Sequence, residues 1–423
     1  MKEIPEVAKR FIRYAKIATQ SSEKTKKIPS TEKQFDLANL LVEELREIGL
    51  NDIELDENCV VYATIPSNLP SEMESKVPVI CFNSHIDTST SESDENIQPQ
   101  VIDYPGGDII LPKDTSFIIS PKENPELNDY IGTKIITTDG TTLLGADDKA
   151  GIAEIMTAAS ILVKSGSDKQ HGKIRLMFSP DEEIGGGYKA VDLKKLGADF
   201  AYTVDGGEMG GLEIANFNAA EGSIVIQGYN VHPGYAFGLM KNSLRAIPEI
   251  LKLFPNEIAP ETTKDMEPYY HPVSIRGEVD KVSLIFILRN FEATDLDNQI
   301  KHLEDGVKEV QSHYPDLKIS IKIKKSYKNM KDILDKYPYI VEIARKAIQK
   351  SGLRVIEAPI RGGTDGARYS YMGLPTPNIF TGGFNFHSKK EFIPIIAMEK
   401  AVETIVNIID VATEWFLDNN EKF

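Results

Sequence analysis

Histidines and carboxylates recur in this chain where apolar runs break off. VICFNSHIDT ends in His85 and Asp87, with one residue between them. GADDKAG carries Asp147 and Asp148, SPDEEIGGG carries Asp181, Glu182 and Glu183, TVDGG carries Asp205, and GGFNFHSKKEF carries His387. Taken singly, each has a plain structural reading: a hydrogen-bonded pair, an N-cap before a helix, a solvated acidic loop. Gathered at strand ends they are unfavourable, because clustered carboxylates repel one another and lose hydration. A divalent cation supplies the compensation. Histidine plus carboxylate, without cysteine nearby, suits zinc, cobalt or manganese better than calcium. Two imidazoles and several carboxylates are enough for two cations sharing one carboxylate, about 3.5–4 Å apart. Such a pair activates a water and polarises a carbonyl, so the chemistry implied is metal-assisted amide hydrolysis.

The elements that must position these residues follow an α/β pattern. VPVICFNSH, KIRLMFSPDEE and ADFAYTVDGG read as strands that end in the polar residues above. DDKAGIAEIMTAASILVKSG has helical apolar spacing and stops at Gly166. Near the C-terminus, DKYPYIVEIARKAIQKSG and AMEKAVETIVNIIDVATEWFLDN read as helices, with strands RVIEAPI and TPNIF between them. Adjacent Glu182 and Glu183 cannot both be presented by a strand, where neighbours diverge, so a turn is expected, eased by the glycines that follow. In open α/β sheets, sites form beyond the carboxyl ends of strands.

The middle of the chain differs. GSIVIQGYN reads as a strand, GLMKNSLRAIPEILKLF as a helix, HPVSIRGEV and VSLIFILRN as strands, LDNQIKHLEDGVKEVQSHY as a helix, and LKISIKIKK as a strand. The order β-α-β-β-α-β is that of a ferredoxin-like unit. The expected organisation is therefore a catalytic domain in two segments, 1–216 and 329–423, interrupted by an inserted domain at 217–328. The polar stretch 89–137 is too long for a plain loop and is expected to be an exposed excursion with some strand of its own. His171, His302 and His313 read as surface residues.

Composition sets the limits. With 423 residues, two domains are expected. A formal net charge of −16 disfavours nucleic acid and anionic membrane as partners. Cys59 and Cys81 give no disulfide framework. The opening helix has no uncharged apolar stretch, so the expectation is a cytoplasmic protein.

SHIDT, LGADDKAGIAEI, SPDEEIGGG, TVDGG, NVHPG, RGGTDGARYSYMGLPTPNIFTGGFNFHS and EF, in this order, resemble the M20 metallopeptidases. The likeness implies a mixed-sheet zinc-peptidase domain with an inserted ferredoxin-like lid. It implies a di-zinc aminopeptidase, with Co2+ or Mn2+ as substitutes, that releases the N-terminal residue of tripeptides. A dipeptidase, carboxypeptidase or N-acyl amino acid deacylase of the same family is the alternative. His85, Asp147 and Asp205 would hold one zinc, and Asp147, Glu183 and His387 the other. Asp87 would orient His85, and Glu182 would be the general base. The peptide bond after the bridging aspartate is commonly cis in such proteins. His232 would reach the substrate carbonyl. In some relatives this histidine comes from a partner subunit, so a homodimer through the inserted domain is a further expectation. Arg289 would contact substrate, although Asn290 stands where an acidic residue is common. Arg361 and Asn385 lie beside the last ligand motif and are candidates for binding the peptide backbone or its carboxylate.

Overall fold

The strand that delivers His85 lies in the middle of an eight-stranded sheet. The computed structural model describes residues 4–419. Along this sheet the order is Ile53–Leu55, Val61–Ile65, Ile174–Ser179, Ile80–His85, Phe200–Gly206, Asn378–Phe380, Gly211–Glu213 and Ile356–Glu357. The four strands from Ile174–Ser179 to Asn378–Phe380 are mutually parallel, whereas their outer neighbours run antiparallel. Ile80–His85 and Ile174–Ser179 are buried along their whole length. That explains their near-continuous apolar sequence, since a parallel sheet is covered on both faces.

Helix Ala146–Ser165 packs on the strands Ile80–His85 and Phe200–Gly206 and against the helices Glu6–Ala15 and Ile395–Asn419. Asp147 and Asp148 have non-helical dihedrals within it, and the peptide bond between them is cis. Gly151 sits where the helix meets the sheet. A Cβ there would fall 2.0 Å from the Val204 carbonyl oxygen and 2.5 Å from Asp148 Oδ1. The missing side chain is thus what lets this helix lie against the strand that ends in Asp205.

The chain divides into two units. One is Met1–Ile214, Asp332–Ala358 and Thr364–Phe423, and the other is Ala215–Lys331 with Pro359–Gly363. The second has an antiparallel four-stranded sheet in the order Tyr269–Gly277, Lys281–Asn290, Asn218–Gln227, Lys318–Tyr327. Its core joins Ile224, Leu284, Phe286 and Leu288 of the sheet to Leu296, Leu303 and Val307 of helix Ala293–His313. The sequence order of its elements is the β-α-β-β-α-β of a ferredoxin-like unit. Its first helix is shorter than the spacing predicts. It comprises a 3-10 turn, Ser243–Ala246, capped by Asn242, and the α-helix Ile247–Leu251. Pro248 is tolerated only in a first turn, so nothing helical can precede it by far.

The excursion at 89–137 is more ordered than an exposed loop. Lys134–Thr137 pairs with Gln100–Asp103 on one side and with Phe392–Pro394 on the other, and Ile109–Ile110 pairs with Ile118–Ile119. Tyr104, Leu111, Leu127, Tyr130, Ile135 and Phe392 give it a core of its own. His171 is also buried rather than on the surface, with Nδ1 2.8 Å from the Gly172 carbonyl oxygen. No helix among the described residues is long and apolar enough to cross a membrane.

Gly151→Ala should lower unfolding stability by about 3 kcal/mol, the upper end of ordinary overpacking costs, because backbone and not a flexible side chain blocks the new methyl. A denaturant midpoint indistinguishable from that of the unmutated chain would contradict this close approach.

Candidate metal centre

Four adjacent parallel strands point their carboxyl ends at one place. His85 is the last residue of its strand, and Asp205 the second-last of Phe200–Gly206. Glu182 and Glu183 lie in the turn after Ile174–Ser179, and His387 in the loop after Asn378–Phe380. Asp147 arrives from the start of its helix.

The imidazoles converge on Asp147 from two sides. His85 Nε2 lies 2.8 Å from Asp147 Oδ1, and His387 Nε2 lies 3.0 Å from Asp147 Oδ2. His387 Nε2 is also 3.0 Å from Glu183 Oε1, and His85 Nε2 is 3.7 Å from Asp205 Oδ1. A tetrahedron with metal–ligand bonds of about 2.0–2.1 Å has edges of about 3.3 Å. The observed separations bracket that length, so the donor set fits two divalent cations with Asp147 between them. The Asp147 and Glu183 carboxylates hold the His387 imidazole up at about 10, and burial followed by the Asp147 charge raises Glu183 to about 7.

Asp148 is a further carboxylate at this centre, outside the ligand set that the sequence pointed to. It groups with His85 and Asp205, as Asp147 groups with His85 and Glu183. Asp148 Oδ2 accepts from the Ser84 hydroxyl and from the His85 N–H, whereas Oδ1 is buried with no hydrogen-bond partner.

Asp87 serves two elements at once. His85 Nδ1 lies 3.0 Å from the Asp87 carbonyl oxygen and 3.4 Å from its Oδ1. Both are acceptors, so Nδ1 carries the proton and the Nε2 lone pair faces the centre. The Asp87 carboxylate also accepts the N–H of Glu182 at 2.9 Å and of Glu183 at 3.3 Å. One side chain therefore fixes a histidine ring and the acidic turn. Strand pairing continues one residue beyond His85, since the Ile86 N–H donates to the Ser179 carbonyl.

Glu182 keeps its carboxylate out of the ion pairs that link Asp147, Glu183 and the histidines. Burial, then the Asp365 charge, raises it well above the usual carboxylate range. Asp365 accepts from the Tyr369 hydroxyl at 2.9 Å and the Ser179 hydroxyl at 3.2 Å, tying its helix to the strand before the turn. Asp181, at φ 58°, accepts from the Ser30 N–H and hydroxyl and from Gln34 Nε2. The N-terminal segment is thereby anchored beside Glu182. Glu391 accepts the N–H groups of Leu144, Gly145, Ala146 and Asp147. The roles of Asp181 and Glu391 escaped sequence reasoning, although both residues lie inside the motifs quoted for the resemblance.

Asn385 stands at φ 56°, and its Nδ2 donates to the Lys390 carbonyl within the same loop. The other three candidates belong to the second unit. Gly234 N–H donates to His232 Nδ1, which leaves the His232 proton on Nε2. Arg289 donates from Nη1 to the Leu288 carbonyl and lies 5.2 Å from the Tyr327 ring centre. Arg361 lies 5.3 Å from the ring centres of both Phe217 and Tyr269 and donates to Asp265 O and Thr263 Oγ1.

Residues 137–411 match the model of peptidase family M20/M25/M40. The chain belongs to that family. It is accordingly a peptidase. It is 49% identical over 410 residues to Peptidase T of Clostridium acetobutylicum, covering 97% of this chain and 99% of the relative. Its fold is similar to that of a tripeptidase from Staphylococcus aureus, with a TM-score of 0.76 at 22% identity over 97% of this chain and 99% of the other. A Bacillus subtilis protein described as a dinuclear metal-binding peptidase of the M20 family shares the fold at a TM-score of 0.64 and 13% identity, over 96% and 98% of the two chains.

His387→Ala should lose one of two bound cations in elemental analysis, and full retention would remove His387 from the ligand set. Asp87→Ala should weaken cation affinity roughly ten- to a hundredfold, the usual cost of losing a group that orients a ligating histidine, measured by competition with a chelator. Unchanged affinity would reduce Asp87 to a structural acceptor.

Proposed function

We propose that this family member is a di-zinc aminopeptidase that releases the N-terminal residue of tripeptides, with Co2+ or Mn2+ able to replace zinc. The observation that carries the metal chemistry is the approach of two imidazole nitrogens to opposite oxygens of one carboxylate, Asp147. Support for the substrate comes from the relatives, which are named Peptidase T, and from the structural neighbour described as a tripeptidase. When bound, the cations supply a water of lowered pKa and polarise the scissile carbonyl.

The chain's own residues do the rest. Glu182 takes a proton from the attacking water and delivers it to the leaving amine. Its backbone is held by Asp87, so the base and the His85 ring share one support. His232 is the proposed donor to the carbonyl oxygen, since its Nε2 carries the proton. A donor of this kind is commonly worth about 2.7–4 kcal/mol to the transition state. Arg289, Arg361 and Asn385 stay as candidates for substrate contact. Of these, Arg361 and Asn385 are already held by neighbours in their own units. Pairing of two chains through the second unit also belongs to this proposal.

Glu182→Ala should keep both cations and lose roughly two to four orders of magnitude in kcat, the range of general-base contributions. A near-native rate would refute the base assignment. A panel of di-, tri- and tetrapeptides and acylated amino acids, with product identification, should show tripeptides cleaved after the first residue. Faster turnover of dipeptides, loss of a C-terminal residue, or deacylation would instead favour a sister activity.

A further inference from the structure

The loop that carries His387 and the turn that carries Asp147 are joined by one carboxylate. Glu391 is 1% exposed and accepts four successive backbone N–H groups. Oε2 takes those of Leu144 at 2.7 Å and Gly145 at 2.9 Å, and Oε1 those of Ala146 at 2.7 Å and Asp147 at 3.2 Å. These N–H groups belong to the turn that leads into the helix and ends at the non-helical Asp147. The acceptor for this turn is no neighbour in sequence but a residue 244 positions beyond Asp147. That distance ties two ligand-bearing segments together.

On the other side of Glu391 the loop is gripped by the 89–137 excursion. Phe384 and Phe392 bond to each other through both backbone N–H groups, and their rings stack at 5.0 Å. Tyr130 of the excursion meets Phe384 edge-on at 6.0 Å, and Phe392 pairs with Thr137. His387 lies inside this closed loop at φ 62°, a left-handed conformation that the loop must impose.

We infer that Glu391 is a positioning residue that sets the bridging aspartate against the His387 loop, and that the Phe384–Phe392 stack holds the His387 side of that arrangement. This rests on the two-cation reading above. Losing Glu391 should disturb Asp147 and so weaken both cations. Losing the Phe384 ring should disturb His387 alone and weaken only the cation held by Asp147, Glu183 and His387.

The test is a Zn2+ titration of the full chain against a chromophoric chelator, with thermal melting of the metal-free proteins recorded alongside. His387→Ala identifies which affinity class belongs to which site. In Glu391→Gln an amide NH2 replaces one acceptor and faces backbone donors. Both affinities should fall roughly ten- to a hundredfold, the range for groups that orient metal ligands. Phe384→Ala should lower one affinity and spare the other, and Phe384→Tyr should restore it. Should Glu391→Gln fail to fold, Glu391→Asp keeps the charge while shortening the reach, and the same loss is expected. Two unmutated Zn2+ affinities in folded Glu391→Gln, with only the melting temperature lowered, would overturn the inference and leave the two-cation reading standing. Uptake of fewer than two Zn2+ by the unmutated chain would overturn both.

Discussion

Carboxylates that face one another in a buried space must be neutralised, and this constraint organises the first unit. Asp147, Asp148, Glu183 and Asp205 gather around His85 with little access to water. An uncompensated buried charge costs several kcal/mol even after relaxation. Two imidazole rings approach these carboxylates, but one oxygen of Asp148 still has no hydrogen-bond partner. Cations are the remaining source of compensation that fits both the ligand types and the spacing.

The sheet makes this concentration of charge available. Parallel strands end on the same side, so residues distant in sequence are delivered to one rim. Strand packing is apolar and generic, whereas the rim is held by specific polar clamps. Asp87 joins His85 to the acidic turn, Asp181 joins that turn to the N-terminal segment, and Glu391 joins the Asp147 turn to the His387 loop. Asp94 does similar work at Thr19, Gln20, Thr88 and Lys33. Carboxylates therefore have two roles here. Some face the centre, and others accept backbone N–H groups so that the first set is held still.

Much of this arrangement was legible in sequence. His85 and Asp205 announce themselves because a buried strand of apolar residues ends abruptly in a metal-type ligand. The acidic pair Glu182–Glu183 required a turn, and glycines followed. What stayed hidden depends on contacts between distant segments. Glu391 has a meaning only once residues 144–147 are beside it. Asp148 stands in the acidic cluster with no ligand role of its own in the sequence, and only the fold groups it with His85 and Asp205. The helix around Ile247 is shorter than its apolar spacing predicts, because Pro248 confines it to a start at Ile247. His171 read as surface because burial of a histidine leaves no local trace when a carbonyl satisfies its ring.

The central claim is that two cations sit on either side of Asp147. Anomalous diffraction from crystals grown with zinc tests it most directly. The account predicts two peaks about 3.5–4 Å apart, one beside His85 and Asp205 and one beside Glu183 and His387. A single peak, or none within bonding distance of Asp147, would contradict it.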